Sequence, residues 1–135
     1  MTFSSLGAAY GAYTDSQEHP APALLAPAGG WEQLAYAIRF GADAVYLATD
    51  KFGLRKRATN FSLEDLPQVV GYAHDHGVHV HVTVNAQMHR ADFDDLPRYL
   101  AAIDEAGADA VLVSDLGALR MARQYAPHVQ IHVST

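Results

Sequence analysis

An irregular segment after the second apolar run of the sequence contains the residues best suited to bind an anion. It spans residues 49–61 and holds four of the nine Lys and Arg residues. Arg55 and Arg57 carry guanidinium groups, which bind carboxylates or phosphates through paired hydrogen bonds, and Asn60 adds an amide. These three side chains predict a site for an anionic ligand. The alternative is a basic surface loop that contacts solvent alone.

Three more polar side chains come at the ends of predicted strands. Asn85 ends the third strand, Asp115 ends the fourth, and Ser134 lies near the end of the fifth. Ligands bind at the carboxyl ends of parallel strands, so these positions predict contact with the same substrate. The alternative for Asn85 and Asp115 is capping of the turn or helix that follows.

The sequence offers little for a metal centre or a nucleophile. His79 and His81 share one face of a predicted strand, but no spacing indicates a third ligand, so we predict hydrogen-bonded histidines and no metal site. Cys is absent, which excludes thiolate nucleophiles and Cys-ligated clusters within these residues. Neither Ser114 nor Ser134 has an evident adjacent base. The residues by themselves therefore give no support for proteolysis.

An alternating pattern predicts the strand around which these residues are arranged. In residues 77–85 every second residue is Val, and the residues between them are His, His, Thr and Asn. The Val face of such a strand packs under helices, and the other face points into a semi-polar interior. A strand covered by helices on one side and semi-polar on the other is typical of a parallel barrel.

Five predicted strands and four predicted helices alternate along the chain, which is typical of a parallel sheet with right-handed crossovers. Residues 1–20 show no periodicity and predict a flexible leader before a domain that spans 21–135. The apolar pattern of the third helix spans 92–106, but Pro97 moves its expected start to residue 95 or 96. The strands are expected at 22–26, 44–48, 77–85, 110–115 and 130–135, and the helices at 31–40, 62–76, 92–106 and 116–125.

A short repeat favours barrel-type units. Residues Gly41 to Val45 read Gly-Ala-Asp-Ala-Val, and the same five letters return at Gly107 to Val111, 107 − 41 = 66 residues later. A complete barrel needs eight strands and about 250 residues, so 135 residues predict part of a longer one. The alternative is an open, flavodoxin-like sheet, which five strands complete without missing residues.

Composition limits the classes of partner and location. The formal net charge is −6, which argues against an extended, non-specific surface for nucleic acid, although a local basic patch remains compatible with it. No apolar run is long enough to span a bilayer, and the first residues lack the pattern of a signal peptide. We therefore expect a cytoplasmic protein.

Several motifs together resemble those of the peptidase U32 family, in the same order and over residues 20–135. The resemblance implies a barrel of (β/α) units, of which this chain is the N-terminal part. The motifs are Pro22-Ala-Leu-Leu-Ala-Pro-Ala-Gly29, Gly41-Ala-Asp-Ala-Val-Tyr46, Phe52-Gly-Leu-Arg55-Lys-Arg57, Asn60-Phe-Ser62, Val82-Thr-Val-Asn85, Val113-Ser-Asp115 and Ile131-His-Val-Ser134.

The resemblance implies a role in hydroxylation of tRNA or 23S rRNA bases, with prephenate as a required metabolite, or of ubiquinone precursors. It also implies the alternative of a collagenase-like protease. The partners expected from it are RNA and an anionic, prephenate-like small molecule. Several family members hold a [4Fe–4S] cluster on four cysteines downstream of the region matched here, so no cofactor is expected within this chain.

Two expectations concern the chain as a part of a larger enzyme. The family usually has Glu where this sequence has Ala23, so any chemistry of that carboxylate is altered here. We expect the fragment alone to be inactive, and an oligomer or the missing C-terminal half to cover its last, edge strand. The remaining alternative is a non-catalytic or truncated binding module.

Overall fold

The fold is an open sheet of five parallel strands, with one helix between each strand and the next. The computed structural model describes residues 22–54 and 61–135, so the predicted leader lies outside the described residues. Within those two ranges, no helix has both the length and the apolar character needed to cross a membrane. The strands are β1 (Leu25–Pro27), β2 (Ala44–Leu47), β3 (His79–Val84), β4 (Ala110–Val113) and β5 (Gln130–Val133), and the helices are α1 (Trp31–Arg39), α2 (Leu66–Asp75), α3 (Asp92–Glu105) and α4 (Leu116–Tyr125).

The strands lie side by side in chain order, from β1 to β5. Every pairing is parallel, with Ala44 beside His79 and Val82 beside Val111. A flavodoxin-like sheet places its first strand between the second and the third. The sequential order rejects that alternative and confirms the prediction of barrel-type (β/α) units. In the described part of the chain the sheet does not close, and β1 and β5 are its outermost strands.

Alternation along each strand separates a helix-covered face from an inner face. Val80, Val82 and Val84 are fully buried and join side chains of α2 and α3 in one apolar core. Each such Val contributes about 1.5–3 kcal/mol by leaving water. His79 and His81 alternate with them and therefore point to the inner face. The predicted division of β3 into a Val face and a polar face is confirmed.

The repeated pentapeptide forms the same set of hydrogen bonds twice, where the strands begin. We call this end of the strands the amino edge, and the end where the strands finish the carboxyl edge. The Asp43 carboxylate accepts the Leu24 N–H at 2.6 Å, and the Asp43 N–H donates to the Leu24 carbonyl at 2.9 Å. The Asp109 carboxylate accepts the Val80 N–H at 2.7 Å, and its own N–H donates to the Val80 carbonyl at 2.9 Å. The Asp43 carbonyl accepts the N–H of His79, the first residue of β3. The Asp109 carbonyl accepts the N–H of Gln130, the first residue of β5, and both bonds are 3.0 Å long. Each Asp thus joins three consecutive segments of the sheet.

The start of α2 differs from the prediction. The helix begins at Leu66 rather than directly after Ser62. Ser62 and Asp65 instead close a turn ahead of it: the Ser62 N–H donates to Asp65 at 2.8 Å, and the Asp65 N–H donates to the Ser62 hydroxyl at 3.2 Å. The bonds from Ser62 hold the pKa of Asp65 below its ordinary value. The pairing is that of a capping box placed one turn early.

The start of α3 also differs, because the helix begins at Asp92 and includes Pro97. The expectation of a start at residue 95 or 96 was wrong. The Asp92 side chain accepts the His89 N–H at 2.7 Å, and the Asp92 N–H donates to the His89 carbonyl at 2.9 Å. These two bonds start the helix upstream of the proline, so Pro97 lies in its interior and removes one backbone hydrogen bond there.

Candidate functional site

Three polar residues are linked by hydrogen bonds at the carboxyl edge of the sheet, on its inner face. The register pairs Val84 with Val113 and Val113 with Val133, so the residue after each lies at the same height. The Ser114 hydroxyl donates to the Asn85 carbonyl at 3.1 Å, and the Asn85 amide donates to the Ser134 hydroxyl at 3.4 Å. We call Asn85, Ser114 and Ser134 the carboxyl-edge cluster. Two of its members, Asn85 and Ser134, were predicted as site residues.

Asp115 lies at the same edge but turns toward the helices. It is the N-cap of α4, with an extended backbone, and its Oδ1 accepts the Ala118 N–H at 2.9 Å. This is the capping alternative that the sequence left open. Contact between Asp115 and a ligand stays a prediction, and one carboxylate oxygen is already engaged by the helix.

Residues 52–54 form a turn just before Arg55, and this turn is anchored on the carboxyl-edge cluster. The Asn85 Oδ1 accepts the Leu54 N–H at 3.4 Å, and the Phe52 carbonyl accepts the Ala86 N–H at 2.8 Å. Phe52 has φ 59°, a left-handed conformation that is uncommon for a bulky residue and marks a constrained turn. A side chain on Gly53 would approach Ala48 to 2.9 Å, so the turn also requires glycine.

The residues predicted to bind an anion come directly after that turn in the sequence. Arg55, Arg57 and Asn60 lie outside the described residues, so their contact with a ligand stays a prediction. The chain is held at Leu54 on one side of them and at Phe61 on the other, where Phe61 is buried and forms a parallel bridge with Thr49. Both anchors lie after the end of β2.

Tyr99 of α3 supports the turn from below, a role that the sequence did not reveal. Its ring packs edge to face on Phe52 with 4.8 Å between centroids, and its hydroxyl bonds to the Thr49 hydroxyl and the Lys51 carbonyl. Burial raises the pKa of Tyr99 to about 12. The phenol therefore stays protonated and serves as a structural donor rather than an acid.

The inner face also holds a pair of imidazoles, His81 and His132, whose ring centroids are 5.0 Å apart. Burial, and then the neighbouring His132, lower the pKa of His81 to about 4, and burial lowers the pKa of His132. Both rings are therefore uncharged near neutral pH. Sequence reasoning missed His132, because its ring meets His81 across the intervening β4, a contact that only the register creates.

His79 and His81 contact different side chains. The His79 Nδ1 is 3.2 Å from Asp109, at the amino edge, whereas His81 contacts His132. The His74 Nε2 also reaches Asp109, at 2.7 Å. In residues 22–54 and 61–135, no group of three or more His, Cys, Asp or Glu side chains is arranged to hold a metal ion.

In (β/α)-barrel proteins, parallel strands follow one another in chain order and polar groups gather where the strands end. The fold of this chain therefore places it in the (β/α)-barrel class. One family model matches residues 29–135, that of peptidase family U32. The chain therefore belongs to this family, as the sequence motifs predicted.

Three curated relatives show what the chain is similar to. It is 39% identical over 114 residues to tRNA hydroxylation protein P1 of Bacillus subtilis, covering 84% of this chain and 27% of the relative. It is 36% identical over 112 residues to the 23S rRNA 5-hydroxycytidine C2501 synthase of Escherichia coli, covering 83% and 16%. An uncharacterized protease of Methanocaldococcus jannaschii is 35% identical over 111 residues, covering 82% and 27%. The chain thus spans about a quarter or less of the length of these relatives.

Two solved structures share the fold at low identity. A U32 peptidase superposes with a TM-score of 0.64 and 14% identity, covering 90% of this chain and 53% of that one. Hydroxymethylglutaryl-CoA lyase from Pseudomonas aeruginosa gives 0.57 and 18%, covering 94% and 49%. These likenesses establish the course of the chain and say nothing of its chemistry.

Proposed function

We propose that this chain forms the N-terminal part of a U32 barrel protein that hydroxylates bases of tRNA or 23S rRNA. The similarity to tRNA hydroxylation protein P1, at 39% identity over 84% of the chain, carries this proposal. Two residues predicted to bind substrate, Asn85 and Ser134, are hydrogen-bonded to each other at the edge where barrel proteins bind ligands, which supports the proposal. Hydroxylation of ubiquinone precursors is a related possibility within the family. An RNA substrate also implies a cytoplasmic location.

The same edge is proposed to receive an anionic group, from prephenate or from an RNA phosphate. Arg55, Arg57 and Asn60 follow Leu54, whose N–H is held by Asn85. Guanidinium groups entering the site from that turn would pair with a carboxylate or phosphate, while the neutral cluster binds hydroxyl or amide groups. Asp115 is proposed to contribute mainly by capping α4.

An iron–sulfur cluster does not fit the residues of this chain. The sequence contains no Cys, and such clusters are held by thiolates. In the complete protein, a [4Fe–4S] cluster would have to take its ligands from residues beyond this sequence.

The proposed function is tested in a bacterial strain that lacks both its own tRNA hydroxylation protein and its own 23S rRNA hydroxycytidine synthase. The gene that encodes this chain is expressed in full, and hydroxylated nucleosides from tRNA and 23S rRNA are measured by mass spectrometry. We expect restored hydroxylation, and a loss of at least about tenfold with Arg57→Ala, since one charge-assisted pair is worth about 1.5–3 kcal/mol. Arg123→Ala, at an exposed position on α4, is the matched control. Absence of hydroxylated nucleosides with the wild-type gene would reject the proposal.

A peptidase is the second candidate, because one relative is named a protease. The geometry gives it little support: the Ser114 hydroxyl donates to a backbone carbonyl and the Ser134 hydroxyl accepts from Asn85, and neither is bonded to an imidazole of residues 22–54 or 61–135. Cleavage of gelatin by the purified complete protein, abolished by Ser134→Ala, would establish this candidate instead.

A further inference from the structure

A groove runs along one flank of the sheet, between β1 and α1. It encloses about 290 Å³, and the described side chains that line it are apolar apart from the Gln33 amide and the Tyr36 hydroxyl. Leu24 and Ala26 line it from the side of β1, and Tyr36 and Phe40 line it from the side of α1. We call it the β1–α1 groove.

Large apolar side chains of this groove are exposed to water. Phe40 is 76% exposed and Tyr36 is 50% exposed, and their rings stack with 6.3 Å between centroids. Leu24, on the opposite wall, is also exposed. In the described part of the chain β1 is an outermost strand, so its free side carries backbone groups that no neighbouring strand pairs. A contiguous apolar surface beside such a strand marks a place where another segment binds.

The chain that precedes β1 starts beside the groove and is long enough to cover it. Residues 1–21 lie outside the described residues, and Pro22, where the description begins, is two positions before Leu24. Tyr13 precedes Pro22 by 22 − 13 = 9 residues, which span about 30 Å when extended. The helix α1 has nine residues and is therefore about 14 Å long. The preceding chain can thus return along the whole groove.

The composition of residues 1–21 matches this surface. Four large apolar or aromatic side chains occur in their first part, namely Phe3, Leu6, Tyr10 and Tyr13. Rings of this kind gain most by packing on other exposed rings and aliphatic groups. Residues 1–21 also contain Asp15 and Glu18 but no Lys or Arg, whereas Arg39 lies in the last turn of α1, next to Phe40. The charges at this end of the groove are therefore complementary.

Attachment to β1 favours this segment over a second copy of the chain. A segment joined by a short linker has an effective concentration on the order of millimolar, so it outcompetes a separate molecule at micromolar concentration. We propose that residues 1–21 fold back over the β1–α1 groove and bury Tyr36 and Phe40. The family model begins at residue 29, after this segment, and the contact is independent of the proposed function.

The test uses disulfide formation, because the chain contains no Cys of its own. Thr14→Cys and Gln33→Cys are introduced together into the full 135-residue chain, and every aromatic side chain is kept. Under mild oxidation at micromolar concentration, the disulfide within one chain is measured by intact mass and on a non-reducing gel. We expect it to form at least about tenfold faster than in the control pair Thr14→Cys and Gln124→Cys, whose second site is exposed on α4.

Further substitutions in the paired-Cys chain distinguish docking from mere attachment. Phe40→Ser removes an exposed ring of the groove, and Leu116→Ser removes an exposed apolar side chain of α4 as the matched control. We expect disulfide formation to slow at least about tenfold with Phe40→Ser and to stay within about twofold with Leu116→Ser. The double change Tyr10→Ser and Tyr13→Ser should slow it as Phe40→Ser does, and it leaves every described residue unchanged. Circular dichroism of each variant establishes that its fold is retained.

Equal rates for the two Cys pairs, or an unchanged rate in the folded Phe40→Ser variant, would overturn the inference. Disulfide-linked dimers as the main product would also overturn it and assign the groove to a second copy. Loss of the disulfide when the gene is expressed in full would assign the groove to residues beyond this sequence. None of these measurements depends on hydroxylated nucleosides in cells, so the proposed function stands or falls separately.

Discussion

The amino edge and the carboxyl edge of the sheet are held by different kinds of hydrogen bond. At the amino edge, the carboxylates of Asp43 and Asp109 bind backbone N–H groups at 2.6 and 2.7 Å, and imidazoles surround Asp109. At the carboxyl edge, the neutral Asn85, Ser114 and Ser134 meet at 3.1–3.4 Å. Charge-assisted bonds are about twice as strong as neutral ones. The amino edge therefore stabilises the fold more strongly, and the carboxyl edge is held by longer hydrogen bonds between neutral groups.

The largest effect is expected at the amino edge, from Asp109→Ala. The change leaves the Val80 N–H without its carboxylate and removes the partner of His74, both largely shielded from water. We expect a loss of about 3 kcal/mol in the free energy of unfolding, measured by urea denaturation. Asp94→Ala, at an exposed position of α3, is the control. Equal stability of the two variants would contradict the assigned role of the amino edge.

A second, smaller effect concerns pH and the inner face between the two edges. The pKa of His81 falls from 6.5 to about 4, so the folded state binds fewer protons than the unfolded state between these values. Stability is complete above about pH 6.5 and declines as the pH falls toward 4. After allowance for solvent near the site, the loss is on the order of 2 kcal/mol.

The check for this prediction is the difference in unfolding free energy between about pH 7 and about pH 5. His81→Gln removes the titrating group, so its stability should vary less with pH than that of the wild type. His128→Gln changes an exposed imidazole and is the matched control. A pH dependence that is identical in the His81→Gln variant would show that another group is responsible.

The third prediction concerns Asp115 and sharpens the boundary of the carboxyl edge. Asp115→Ala removes the cap of α4 and should lower the unfolding free energy by about 1 kcal/mol, whereas Asp115→Ser keeps a capping oxygen and should lose much less. Hydroxylation of RNA in cells provides the second measurement. If Asp115 acts by capping, the Ser variant retains activity; a Ser variant that is stable but inactive would instead assign Asp115 to the ligand.

The smallest effect on stability is expected from Asn85→Ala. Its side-chain bonds to Leu54 and Ser134 are both 3.4 Å long, so their loss should lower the unfolding free energy by less than about 1 kcal/mol. RNA hydroxylation should nevertheless fall at least about tenfold, because the turn before Arg55 loses an anchor. A large loss of stability with intact activity would reverse the comparison between the two edges.

Much of the fold was predictable because the relevant interactions are local. The alternation of Val in β3 marks its buried face, and α4 begins at Leu116 because Asp115 caps it, as residue types in that order indicate. The starts of α2 and α3 were less predictable. Ser62 pairs with Asp65 in a turn, and Asp92 starts α3 upstream of Pro97, and both outcomes depend on competing local bonds.

The candidate site was predictable only in part. The end of a strand indicates where a polar residue lies along the chain, so Asn85 and Ser134 could be chosen from the sequence. The direction of the side chain is a separate matter: Asp115 turns to its helix, and His132 turns to His81. Arg55, Arg57 and Asn60 remain predictions.

The sequence by itself determined the order of strands and helices, the buried face of β3 and the repeated Gly-Ala-Asp corners, because periodicity and turn residues act over a few positions. Only the tertiary structure decided the sequential strand order, the hydrogen bonds of Asp43 and Asp109 and the meeting of His81 with His132. Those features depend on register between strands that are tens of residues apart. The hydrophobic pattern of a strand restricts its register by fixing which face is buried, but which strands become neighbours is decided only when the helices pack on the sheet.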